Sequence, residues 1–131
     1  MRLALLLIVS IIFCQCRQSP VYNISEIEGN WIRINSTDYR SDSMRINITD
    51  PESTIIGLPA SSTFTLGQTK WTDMVATFRD PATRRGDFTL LDLSSDGLRY
   101  ESTIFFKEDT IFLVNLNHPA ALGGRQTWVR N

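Results

Sequence analysis

EIEGNWIRIN, residues 26–35, is the most informative stretch of this 131-residue chain. A glycine, one spacer and a tryptophan, Gly29-Asn30-Trp31, open what looks like a strand, and Trp31 to Asn35 alternates. That period of two is the mark of a strand with one face against a core. The stretch stands just behind an apolar N-terminal run and ahead of a chain with almost no helical periodicity.

Outward from it, strand follows strand. Met44, Ile46 and Ile48 alternate with Arg45, Asn47 and Thr49, and Asp50-Pro51 ends that run. Further strands are expected over 54–58, 63–66, 71–78, 88–93, 98–106, 111–116 and 126–130. In the 71–78 strand, Met74, Ala76 and Phe78 are expected on one face, with Trp71, Asp73, Val75 and Thr77 on the other. SSDG, residues 94–97, reads as a hairpin turn, and KEDT, residues 107–110, as another tight turn. VYNISEIEG, residues 21–29, holds at most one helical turn, with Ser25 as its cap. No stretch after residue 20 repeats apolar residues at helical spacing over three turns. The fold class is therefore all-β. Roughly eight to ten short strands with short connections predict an antiparallel up-and-down β-barrel, since closure removes the exposed edges of a meander.

The N-terminus reads differently. Arg2 is its only charge, and Leu3 to Phe13 is apolar apart from Ser10. The run has the length of a signal-peptide core and is too short to cross a bilayer as a helix. Cys14 and Cys16, the only cysteines, close it. Either a signal peptidase cuts after Cys16, or Cys16 or Cys14 is a lipidated cysteine. The stretch resembles a bacterial lipoprotein signal, and lipidation is the preferred reading, although Phe13 or Gln15 stands where that signal has a small residue. Residues 1–19 are thus assigned to a signal with a short tether and 20–131 to one barrel domain. The expected localisation is exported: an outer-membrane or periplasmic lipoprotein, or a secreted protein.

Composition excludes several function classes. The net charge of −1 gives no electrostatic footprint for nucleic acid, and contact with a membrane is expected only through a lipid anchor. The domain has no cysteine, so no disulfide frame is expected. Two leader cysteines and the lone His118 make no zinc set. Asp92, Ser94, Asp96 and Gly97 fill the first positions of a calcium loop, but Thr103 stands where a bidentate glutamate is required, so a hairpin is preferred. His118 precedes a proline in a loop and has no marked nucleophile beside it. Glu108 and Asp109 are adjacent in a turn, so their side chains diverge. No enzyme activity, metal or cofactor is expected. Sequons at Asn23, Asn35 and Asn47 carry little weight in a chain rich in Ser, Thr and Asn.

Gly29-Asn30-Trp31 at the front and RQTWVRN, residues 125–131, at the end resemble the lipocalin-like, calycin-type barrels, nearest to small bacterial ones. The resemblance covers residues 26–131. It implies that Trp31 plugs the closed end of the barrel and that an arginine of the last strand, Arg130 or else Arg125, packs over its ring. Thr37-Asp38-Tyr39 repeats a triplet of that family in the wrong place and is read as coincidence. The plain alternative makes Trp31 a large core aromatic. By analogy of fold, two non-enzymatic functions are expected. One is a barrel binding a small, partly apolar ligand, with Trp71, Tyr100, Phe105 and Trp128 as candidate ligand residues. The other is a filled barrel acting as a structural or protein-interaction module, with an envelope protein as partner.

Overall fold

The computed structural model describes residues 19–37, 39–40 and 43–131. They form nine strands: β1 (Gly29–Ser36), β2 (Tyr39–Arg40), β3 (Arg45–Thr49), β4 (Glu52–Gly57), β5 (Thr69–Ala76), β6 (Phe88–Leu93), β7 (Arg99–Lys107), β8 (Thr110–Asn115) and β9 (Arg125–Arg130). Each pairs antiparallel with its neighbour in the order β1-β3-β4-β5-β6-β7-β8-β9, and β9 returns to β1. The result is a closed, eight-stranded, up-and-down barrel. β2 is a two-residue addition beside β1. The expected fold class is the observed one, and its architecture is consistent with a lipocalin-like fold.

Local chemistry explains most elements. Ile46 and Ile48 point inward from β3 while Arg45, Asn47 and Thr49 alternate outward. β3 and β4 meet across Asp50-Pro51, with Thr49 paired to Glu52. Glu108 and Asp109 both take positive φ, 48° and 58°, which fits the two-residue hairpin between Lys107 and Thr110. One turn of 3-10 helix, Ile24–Glu26, precedes β1. Its cap is Asn23 rather than the expected Ser25, and the Asn23 N–H donates to Glu26 Oε2 at 2.7 Å.

Three expectations are corrected. Residues 63–66 form no strand. They lie in the loop between β4 and β5, where the Ser62 hydroxyl and the Gln68 side chain accept from the Phe64 and Thr65 N–H groups. Trp71 and Met74 do not lie on opposite faces, because β5 carries extra residues at two places. One shift in register falls at Lys70 and turns both Lys70 and Trp71 inward. The second falls at Asp73, whose φ is +54°, and turns Met74 inward as well. Finally, β1 buries Trp31 and Arg33 while Ile34 faces solvent, so the strand places a cation inside and an isoleucine outside.

The lumen is filled. Trp31, Trp71 and Trp128 are all fully buried, among Ile27, Ile46, Ile48, Ile55, Phe88, Leu90, Ile104, Ile111 and Leu113. Trp71 and Trp128 meet edge to face at 5.4 Å, and Trp31 meets Phe106 at 6.3 Å. Burial of these three indoles is a large part of the hydrophobic driving force.

Candidate functional site

The two ends of the barrel are built differently. At one end, β1 begins, β9 ends and the β7–β8 turn closes over them. Gly29 has φ +117°, a conformation that side chains rarely adopt, and a Cβ there would stand 3.5 Å from Arg130 Nη1. Two residues on, Trp31 is buried, and its Nε1 donates to the Ile27 carbonyl at 2.8 Å. The Arg130 guanidinium lies 4.5 Å from the centre of the Trp31 ring. Arg130 also donates to Asp109 Oδ1 (2.8 Å), the Glu28 carbonyl (3.0 Å) and the Glu26 carbonyl (2.8 Å). Gly29, Trp31 and Arg130 thus meet in one cap, while Arg125 is exposed at the other end of β9.

The four candidate ligand residues do not converge. Trp71 and Trp128 pack against each other in the core. Phe105 lies on the outer wall opposite Phe112, with the Arg79 guanidinium 5.5 Å from its ring. That arginine is held by the buried Asp87 carboxylate (3.0 and 3.1 Å), and this hydrogen bond raises its pKa. Tyr100 alone reaches the open end.

Towards that end the lumen becomes polar. Lys70 pairs with Asp92 at 2.8 Å and donates to the Leu93 carbonyl. Gln126 Nε2 donates to Asp92 Oδ2 (2.9 Å) and to the Gly123 carbonyl (2.8 Å), and Trp128 Nε1 donates to Gln126 Oε1 (3.1 Å). Arg33 lies 5.5 Å from the Trp128 ring centre, and Lys70 lies 4.9 Å from that of Phe64. Burying two cations is costly unless each is engaged, and this network supplies partners where an apolar ligand pocket would have open space. The space among Arg33, Phe64, Lys70, Asp92 and Gln126 is about 10 Å³, the scale of one water.

Above the plug lies a cleft of about 360 Å³ between the β6–β7 and β8–β9 loops. Asp92 and Asn115, both buried, contribute to its lining, together with Ser94, Ser95, Asp96, Tyr100, His118 and Leu122. Asn115 Oδ1 accepts from the Asn117 and His118 N–H groups (3.1 and 3.0 Å) and so shapes the start of the β8–β9 loop. Gly124 lets that loop fold back, since a Cβ there would lie 2.5 Å from the His118 carbonyl oxygen. The Tyr100 hydroxyl donates to Asp96 Oδ2 at 2.5 Å, and the Leu98 N–H donates to Asp96 Oδ1 at 2.8 Å. The tyrosine bond, then the backbone bond, lower the Asp96 pKa, and the same tyrosine bond raises that of Tyr100. The exposed His118 ring stands edge to face with Tyr100 at 6.3 Å.

Of these lining residues the sequence offered only Tyr100 as a ligand candidate. The usable signal was the pair of turn-rich stretches SSDG and NHPAALGG, which flank the strands whose ends form the mouth. Cys14 and Cys16 lie outside the described residues, as does Asp38. No protein-family model, curated protein or solved structure matches this chain.

Proposed function

We propose that this chain is a non-enzymatic, exported barrel that holds a small, partly apolar molecule at its open end, not deep in its lumen. The supporting observation is the contrast between two spaces: a cleft of about 360 Å³ at the mouth, and about 10 Å³ in the polar plug below it. The cleft falls within the size range of small-molecule sites. It combines aromatic and aliphatic surface with buried polar groups, as such sites do. Export, as a bacterial envelope lipoprotein lipidated at Cys16 or Cys14 or as a secreted protein, is part of the proposal and rests on the N-terminal sequence pattern.

A second reading rests on a separate observation. Ile34 and Phe112 are more than two-fifths exposed on the outer wall, and Phe112 pairs across the strands with Phe105. As a filled barrel, the protein would then work through that wall, against another envelope protein.

Native mass spectrometry of the protein purified from its own source tests both. A small retained mass, lost in Leu122→Trp because the indole fills the cleft, is the expected result. A protein-sized added mass would favour the second reading. A small mass that survives Leu122→Trp would place the ligand elsewhere and sink the open-end proposal.

A further inference from the structure

Several groups lining the cleft have hydrogen-bonding capacity to spare. Among the described residues, nothing bonds to the hydroxyls of Ser94 and Ser95, the amide nitrogen of Asn115 or the ring nitrogens of His118. The charged groups, by contrast, are engaged. Asp92 is held by Lys70 at 2.8 Å and Gln126 at 2.9 Å. Asp96 accepts from Leu98 and Tyr100. Among the described residues, no lysine or arginine lines the cleft. An anionic ligand would find no cation among the described residues at the surface of the site, and an ammonium ligand would have to share carboxylate oxygens that each already accept a hydrogen bond or pair with Lys70. A neutral ligand with several hydroxyls displaces nothing. It meets two hydroxyls that both donate and accept, an amide donor and an imidazole.

The rest of the wall suits a ring with an apolar face. Tyr100 and His118 stand at 90° to each other, so a flat ligand can lie on one ring and touch the edge of the other. Leu122 and Ala121 add aliphatic surface. A pyranose has this division, with C–H bonds on its faces and hydroxyls around its rim. Resting on the open-end reading above, we infer that the cleft takes a neutral saccharide of one or two rings. Its C–H face packs on Tyr100 or His118, and its hydroxyls bond to Ser94, Ser95 and Asn115.

Saturation-transfer NMR on the full chain tests this with three sugars as probes: methyl β-glucopyranoside, methyl β-galactopyranoside and cellobiose. Indole and 1-octanol serve as apolar probes. The expected result is transfer to at least one sugar, strongest at ring C–H protons. Its affinity should fall at least tenfold in His118→Ala and in Leu122→Trp, two exposed positions whose replacement should leave the melting curve in place. Transfer to indole or octanol alone, abolished by Leu122→Trp, overturns the saccharide assignment and leaves the open-end site standing. Transfer to no probe counts against both. A sugar whose binding ignores both substitutions binds elsewhere and also overturns the inference.

Discussion

Arg130 does more at the closed end than cover a ring. Its guanidinium lies 4.5 Å from the Trp31 ring centre while donating to Asp109 and to the carbonyls of Glu26 and Glu28, so it ties the end of β9 to the entry of β1. Loss of the Trp31 side chain should cost about 3–5 kcal/mol. The cation–ring contact should contribute about 0.5–2 kcal/mol, visible as coupling between Trp31→Ala and Arg130→Ala in a double-mutant cycle of thermal melts. Additive losses would show that the ring contact contributes nothing; a Trp31→Ala protein melting like the wild type would contradict the cap altogether. This pairing was legible because it rests on two short patterns, a Gly-x-Trp at the first strand and an arginine near the end of the last one. Arg33 and Lys70 were not legible. Nothing local tells a buried cation from a solvated one, because its burial depends on partners from strands far along the chain, such as Asp92 for Lys70.

At the scale of elements, regular strands were readable and irregular ones were not. β6 spans Phe88–Leu93 as expected, because its pairing with β7 runs without a shift. β5 departs from expectation because the extra residues at Lys70 and Asp73 break the period of two on which the reading depends. The β6–β7 loop carries its own titration signature. The raised Tyr100 pKa means that the folded loop favours the neutral phenol. That stabilisation is present below the ordinary phenol value of 10.0 and is lost as pH rises through the raised one. Asp96 behaves in the opposite sense: its contribution is present above the ordinary 3.8 and is lost as pH falls through the lowered value. Tyr100→Phe should therefore bring the Asp96 carboxyl back up towards 3.8 in an NMR titration. Asp96→Asn should bring the Tyr100 phenolate absorbance down towards 10.0. Neither titration moving would mean that the hydrogen bond does not form in solution.

For the whole molecule, the decisive feature is a barrel filled along its length, apolar at the capped end and polar at the mouth. Closure itself, β9 returning to β1, could be expected from strand count and the need to remove edges. The filling could not, because side chains from eight strands meet only after the register is set. Asp92 is central to the polar part, held by Lys70 and Gln126 together. Removing one partner of a buried pair leaves the other charge stranded, so Asp92→Ala should lose about 3–5 kcal/mol in urea denaturation. A loss under about 1 kcal/mol, the level of surface pairs, would mean that water reaches the plug. Acrylamide quenching of the native fluorescence tests the filled lumen most directly, because all three tryptophans of the chain are fully buried within it. A filled barrel shields every tryptophan from the quencher until denaturant unfolds it, when all three become accessible together. A folded protein in which one of the three is freely quenched would contradict it.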